Sequence, residues 1–490
     1  MRPTLTLLDA GLEARVLDEA FALLLDPGVK VHEPEAAALL AAAGAEVRDG
    51  VARIPEEVVR DALATVPRSF ALYDRAGDPA VRYGEGVVQF DPGSCGVAVL
   101  DPDTLEHRPS LATDLVRIVR VAEGLDAYAA QSTAVVCGDV PPPIGDLWRL
   151  LLVLLNSAKP VVTGGFGIRT TRVMLDMLAI DAGGPAALAE RPRAVFDVCP
   201  SPPLSWSELG CRNLIDLARA GVPAQMVSMP LAGGAAPVTL IGSVVQHAAE
   251  CLSGIAIHQL AKPGAPIVWG GAPAILDMRS GTTPMGAVET AMIDAAYAQV
   301  GRGLGLPTHT YLVGSDAKLV DAQAGMESAW GAVIAALAGV DLVSGAGMLD
   351  TLLCQSAEKL VVDAEAIASA LRLVEGIGTP TETLATASFA AAGPEGRFLE
   401  LPETRDLFRT EQHLPSAVVE RRSYRAWADA GGMDAFAHAR QRADALVASW
   451  QPPSMDPAAA AAIVEIARRE AEGAGLAWMP GLDAEAPAAG

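Results

Sequence analysis

The stretch SDAKLVDAQAGMES, residues 315 to 328, sets Asp316, Lys318, Asp321, Gln323 and Glu327 within twelve positions of a chain in which only 19% of residues are charged. The apolar YLVG just before it reads as the end of a buried strand, so the polar cluster falls past that end. Lysine is scarce, with five against 31 arginines. A lysine among carboxylates supports two chemistries: an ion-paired cluster that shapes a loop, or an amine of lowered pKa that attacks a carbonyl.

Aromatic residues make up only 4% of the chain, yet Phe166, Trp206 and Trp269 follow or end apolar runs and Tyr311 lies within one. Aromatic faces beside carboxylates hold quaternary ammonium groups through cation–π attraction. Packing beneath loops is the plainer use of the same residues. His247, Cys251 and His258 share one helical face, but no carboxylate follows at useful spacing, and no metal is expected there. No GxSxG or CxxC occurs, so neither an acyl-transfer elbow nor a redox pair is signalled. The six cysteines, scattered singly, are expected to remain thiols.

These residues need a frame. From residue 86 the chain alternates short apolar, β-branched runs with 20 to 40 residues of helical pattern. The runs are VVQF (87–90), AAQSTAVV (129–136), PVVTGG (160–165), AVFDVC (194–199), AQMVSM (224–229), PIVWGG (266–271), THTYLVG (308–314) and DLVSGAG (341–347). Eight strands alternating with helices predict parallel pairing closed into a TIM (β/α)8 barrel, an α/β fold. The GxGxxG of an open nucleotide-binding sheet is missing. Residues 1–85 read as a helical extension ending in a small hairpin around SFALYDRAGDPAVRYG, residues 86–347 as the barrel, and 348–490 as a C-terminal helical extension with a Pro/Ala-rich tail expected to fray.

Chemistry on such barrels collects where the strands end. Lys159 and Lys262 precede strands and belong to the opposite rim, while Lys30 and Lys359 fall in flanking helices, which leaves Lys318 as the lysine expected at the catalytic face. A net charge of −23 excludes a nucleic-acid partner and disfavours an anionic membrane surface. Without a signal peptide or a spanning run, the nearest being Leu147 to Leu155, a cytoplasmic protein is expected.

Two long stretches then carry a resemblance. PLAGGAAPVTLIGSVVQHAAECLSGIAIHQLAKPGAPIVWGGAPAILDMRSGTTPMGAVETAMI and GLPTHTYLVGSDAKLVDAQAGMESAWGAVIAALAGVDLV, with GAGMLD and FDPGSCGVAVLDPDT, closely resemble the trimethylamine methyltransferase family over most of residues 10–440. The resemblance implies a barrel that binds a methylated amine and passes a methyl group to the Co(I) of a separate corrinoid protein. Founding members use pyrrolysine near the seventh strand. Here that region carries ordinary residues, Leu312, Val313 and Gly314 before SDAK, as in the branch that demethylates quaternary amines such as glycine betaine. One departure is DLVSGAGMLD, where Val343 and Ser344 stand in place of the aromatic and histidine of other members and alter a pocket wall.

The expectation is therefore a methyltransferase that demethylates a small betaine-like quaternary amine, with the corrinoid carried by a partner protein, no metal in this chain, and a homo-oligomeric assembly. Asp316, Lys318 and Glu289 are the candidate catalytic residues. Asp91, Trp206, Ser228, Trp269, Arg279, His309, Tyr311 and Ser344 are the candidates for substrate binding, the carboxylates offsetting the cation and Arg279 or Lys318 taking a substrate carboxylate. A Schiff-base lyase or aldolase using Lys318, a silent betaine-binding protein, and direct methyl transfer to tetrahydrofolate are the alternatives.

Overall fold

The computed structural model describes residues 3–482. All eight apolar runs are strands: β1 (Gln89–Pro92), β2 (Gln131–Ser132), β3 (Val161–Thr163), β4 (Ala194–Val198), β5 (Ala224–Met226), β6 (Ile267–Gly271), β7 (Thr308–Tyr311) and β8 (Leu342–Ala346). They form one parallel sheet in which each strand from β2 onward pairs with the next and β8 pairs with β1. The ring closes where the Ala129 amide donates to the Phe90 carbonyl (2.9 Å). Helices follow the strands in turn: α1 (Ala112–Glu123), α2 (Gly145–Asn156), α3 (Ile168–Ala182), α4 (Glu208–Ala220), α5 (Leu240–Ala261), α6 (Val288–Gly303), α7 (Ala322–Ala338) and α8 (Ala357–Glu375). This is the TIM barrel expected from the alternation. Strand β7 ends at Tyr311 and not at residue 314, because the Leu312 and Val313 amides converge on the single carbonyl of Ser344 (3.1 and 3.4 Å) and leave the ladder.

The expected hairpin is present as antiparallel Phe70–Tyr73 and Pro79–Tyr83. It plugs one end of the barrel. Leu72, Val81 and Tyr83 pack with Ala130, Val162, Val195, Val268 and Leu342, all fully buried. Each aliphatic side chain in such a layer contributes roughly 1.5–3 kcal/mol by leaving water. Strand side chains alternate with period two, so the next inward positions toward the C-terminal rim are Asp197 after Val195 and Ser344 after Leu342. Above the apolar plug the interior turns polar, and the chemistry begins there.

The long helix α5 is apolar enough in composition to cross a bilayer, more so than the Leu147–Leu155 run, but 83% of that apolar window is buried inside the protein. Helices Ala10–Leu25, Pro34–Ala42 and Glu56–Thr65 cover its outer face. A helix that is apolar all round is one covered on every side. The N-terminal region also holds a small sheet that the helical reading of it did not anticipate: Val29–Val31 pairs with Val51–Arg53 and, in parallel, with Ser205–Trp206 from the loop after β4. At the other end, α8 packs on α7 and on helix Ala435–Ser449, and helix Pro457–Gly473 lies against α3 and α2. The end of the Pro/Ala-rich tail, beyond Leu482, lies outside the described residues.

Candidate active site

A cavity of about 480 Å³ opens at the C-terminal ends of the strands. Its floor is Asp197 and Tyr311, with Ser94 and Cys95 beside them. One wall is the Gly164–Gly165–Phe166 turn between β3 and α3, and another is the start of α4 with Asn213; Val227, Met229, Ala272 and Leu352 make the apolar side.

The floor is built by strand phase. In β4, Phe196 and Val198 point to the helices while Val195 and Asp197 point inward. The Asp197 carboxylate accepts from Gln225 Nε2 (2.7 Å) and from the Tyr311 hydroxyl (3.0 Å). The Ser94 hydroxyl stands 3.0 Å from the same phenol oxygen. Since that phenol donates to Asp197, Ser94 donates to it. From below, the Tyr83 hydroxyl of the plug donates to Gln225 Oε1 (3.1 Å), so the plug sets the angle of the amide that orients the acid. Burial pushes the Asp197 carboxyl up to about 6, against the lowering effect of the Gln225 and Tyr311 hydrogen bonds and the Arg149 charge. The Tyr311 phenol is driven well above its ordinary value by burial and the Asp197 charge, so it stays a donor.

Beneath Tyr311 lies a second chain of hydrogen bonds. The Ser344 hydroxyl donates to Asp91 Oδ1 (2.7 Å), and His309 Nε2 meets the Ser344 oxygen at 2.9 Å, so Nε2 carries the proton. Burial drops the His309 imidazole to about 3 and holds Asp91 well above the carboxylate range. The imidazole is neutral at pH 7. Gly270 leaves the space this histidine needs, as a Cβ there would lie 3.0 Å from His309 Nδ1 and 2.6 Å from the Met226 carbonyl.

Among the expected binding residues, Tyr311 lines the cavity and His309, Ser344 and Asp91 form the sealed layer under it; Phe166, half exposed at 51%, stands in the wall. The two tryptophans are elsewhere, both at 0% exposure. Trp206 is drawn away by the parallel pairing of its strand with Val29–Val31, and its Nε1 donates to Ser253 Oγ (2.9 Å). Trp269 occupies the outward phase of β6, next to inward Val268, and donates to the Tyr297 carbonyl (3.0 Å). The Ser228 hydroxyl is spent on Glu250 (2.6 Å), a buried residue of α5. Arg279 is 91% exposed and paired with Asp277, and Glu289 is exposed in the first turn of α6. None of these five borders the cavity.

The polar cluster after β7 resolves into separate structural tasks. Asp316 accepts from the Met285 and Gly286 amides (2.8 and 3.0 Å), and Asp321 caps α7. Glu327 accepts from the Ser315 hydroxyl (2.5 Å) and the Asp316 amide (2.8 Å). Lys318, 62% exposed, pairs with Asp350 (2.9 Å) and donates to the Asp316 carbonyl (2.7 Å). Asp350, Thr351 and Leu352 run consecutively at positive φ (50°, 54° and 67°), a conformation that costs roughly 1–2 kcal/mol per L-residue. Leu352 at the end of this turn faces the cavity. Lys318 therefore pins a strained turn from outside and does not border the cavity as a Schiff-base amine would. Lys318→Met is expected to change stability by less than ~1 kcal/mol, the range of exposed pairs, and turnover by less than threefold. A tenfold loss of activity at unchanged stability would put the lysine back in the chemistry.

Asp197, Ser94, Cys95, Asn213 and the nearby Arg149 were not singled out from the sequence. Asp197 sits inside its strand, and the other four lie in a loop or on helices whose approach to the cavity is set only by the fold. Asp197 did leave a signal: it is the one charge inside AVFDVC.

The geometry thus defines a barrel with an acid-floored, partly apolar cavity at its catalytic rim. The chain matches the trimethylamine methyltransferase (MTTB) family over residues 1–474 and belongs to it; it is a methyltransferase. It is 30% identical over 452 residues to the trimethylamine methyltransferase MttB of Desulfitobacterium hafniense, covering 92% of this chain and 91% of that protein. The MttB of Methanosarcina barkeri is 32% identical, with 89% of each chain covered. The glycine betaine methyltransferase of Desulfitobacterium hafniense is 27% identical, over 90% of this chain and 92% of that one. Among solved structures, the monomethylamine methyltransferase MtmB of Methanosarcina barkeri superposes with a TM-score of 0.52 at 12% identity, covering 90% of this chain and 89% of that one, a likeness of fold alone.

Proposed function

We propose that this methyltransferase demethylates a small betaine-like quaternary amine, its cationic head on Asp197 and Tyr311, and gives the methyl group to the cobalt of a separate corrinoid protein at the mouth of the cavity. The observation that carries this reading is a single ionisable carboxylate on the floor of an otherwise largely apolar cavity, with no histidine or lysine in its lining among the described residues. His309 is sealed and neutral. Although Cys199 opens onto the cavity, the surrounding protein and the Asp197 charge push its thiol up to about 12.

A quaternary nitrogen suits such a site. It is already a leaving group, so this chain has only to hold it in line and keep water out. A Co(I) corrinoid held by the partner would supply the electron pair for the methyl carbon, the N–C pair staying on nitrogen so that the amine would depart neutral. Asp197 attracts the cation, the Tyr311 phenol fixes the carboxylate, and Val227, Ala272 and Leu352 keep the methyl groups dry. Once the charge has gone from nitrogen, Asp197 no longer holds the product. A partner also has apolar surface to meet: Phe166, Met229, Val97 and Leu353 stand exposed around the mouth, the last two joined by the Val97 amide donating to the Leu353 carbonyl (2.8 Å).

Mixing the protein with free cob(I)alamin and a panel of glycine betaine, choline and trimethylamine tests the reading through amine-dependent loss of the cob(I)alamin absorbance. Demethylation that needs tetrahydrofolate instead would move the acceptor, and binding of none of the amines would overturn the proposal.

A pH dependence follows from the acid. Cation binding needs ionised Asp197, and its carboxyl titrates near 6. Affinity for tetramethylammonium is expected to be level above about pH 7 and to fall toward tenfold per unit below about 6, one proton being taken up as the cation leaves. Calorimetry across pH 5 to 8 reads this, and a flat profile would remove Asp197 from the binding step.

A further inference from the structure

Arg149 lies on α2 with no exposed surface and, among the described residues, no carboxylate partner. Its Nη1 donates to the Thr133 carbonyl (3.0 Å) and to the Cys95 sulfur (3.3 Å), a weak acceptor, while Nε and Nη2 have none. The other arginines sunk into the barrel flank are treated differently, as Arg75 and Arg193 both pair with Asp181 at 2.9 Å. A buried guanidinium without a counter-ion costs several kcal/mol unless something else supplies the negative charge. What separates it from the cavity is thin. Cys95 and Phe166 both line the cavity, and the Phe166 ring lies on the guanidinium with its centroid 4.5 Å from Cζ.

The turn that carries Phe166 is fixed in its backbone. The Phe166 amide donates to Asp146 (2.8 Å), and a Cβ on Gly165 would collide with Thr171 Oγ1 at 1.9 Å. The ring itself is half exposed at the cavity mouth, and it is what covers the guanidinium on that side. A cation already stacked on one face of Phe166 also makes the ring a poor second cage for an ammonium. The cavity is therefore bipolar, with a carboxylate on its floor at Asp197 and a covered cation behind its wall.

We propose that Arg149 is the specificity-determining residue that takes the anionic tail of the substrate, a carboxylate, in a bidentate pair, with Phe166 as the cover that swings aside. This deepens the reading above and rests on it. It also replaces the assignment of that role to Arg279 or Lys318, neither of which borders the cavity.

The test is calorimetry with three ligands: glycine betaine; choline, which keeps the cationic head without the anion; and 3,3-dimethylbutyrate, which keeps the shape and the anion with carbon in place of nitrogen. The wild type is expected to bind glycine betaine at least tenfold more tightly than choline. Arg149→Gln should erase that margin by weakening glycine betaine and 3,3-dimethylbutyrate while leaving choline within threefold, and Arg149→Lys should restore part of it. Equal binding of glycine betaine and choline by the wild type overturns the proposal, as does an equal loss of both in R149Q, which marks a structural arginine. If R149Q does not fold, Arg149→Lys is read with the same ligands and by the same criteria, a loss confined to the two anions being expected. If no quaternary amine binds the wild type, the methylated-amine reading fails. Arginine-dependent binding of 3,3-dimethylbutyrate would then still support the anion pole, and its absence would overturn that too.

Discussion

Asp197→Asn weakens binding of a quaternary ammonium by about 2–3 kcal/mol, roughly 30- to 150-fold, the scale for removing one member of a desolvated charge pair. The fold stays intact. Asparagine matches the shape, keeps an oxygen for Gln225 or Tyr311, and relieves the burial that drives the acid up to about 6. Melting temperature above pH 7 is therefore expected to hold or rise, because taking a charge out of a poorly solvated site is often neutral or stabilising. Titration calorimetry beside a thermal melt separates the two effects, and undiminished affinity in a folded variant would place the cation elsewhere. With glycine betaine the loss should be of similar size, since Arg149 serves the opposite pole.

Lys359→Met has the opposite signature, a large loss of stability with little direct effect on the cavity. Lys359 and Asp363 are both at 0% exposure and 2.6 Å apart. The ammonium also donates to Ser328 Oγ (2.7 Å) and to the Val313 carbonyl (3.3 Å), and Asp363 accepts from the Gly347 amide (2.7 Å). One ion pair thus ties α8 to α7 and to the ends of β7 and β8. Removing the lysine alone leaves Asp363 buried without its counter-charge, a loss of about 3–5 kcal/mol. Burial already raises the Asp363 carboxyl despite Lys359, so the variant should take up a proton and recover part of its stability as pH falls. Chemical denaturation of Lys359→Met and of the double variant Lys359→Met/Asp363→Asn measures this. The double variant is expected to be the more stable of the two, and equal stability would mean that the aspartate is not held as a charge.

The contrast between Lys359 and Lys318 shows where sequence reasoning reaches its limit. Chain position points to Lys318 as the lysine set against aspartate, because it comes after a strand. The residue that answers the description lies on α8, and burial is a property of packing that chain position does not encode. The eight strands were legible because parallel strands covered on both sides read as continuous apolar runs punctuated by Pro and Gly. The same feature hid the site. When both faces of a strand are apolar, alternation does not announce its phase, so Trp269 and Val268 look equally fit to point inward. Only a charge in such a run betrays the inside, as Asp197 does in AVFDVC. Trp206 was beyond reach for another reason: its partner strand, Val29–Val31, lies more than 170 residues away in the chain.

The hairpin beneath the barrel has a consequence for traffic. With Leu72, Val81 and Tyr83 packed into the barrel's lower end and the Asp91–Ser344–His309 layer above them, the described residues leave the cavity no back door through the barrel. Whatever enters and whatever leaves must share the rim at which a methyl acceptor has to dock. Under the proposed function, the amine therefore arrives before the acceptor protein and the demethylated product waits behind it, so turnover proceeds in single file and an acceptor that docks on the empty enzyme blocks the way in.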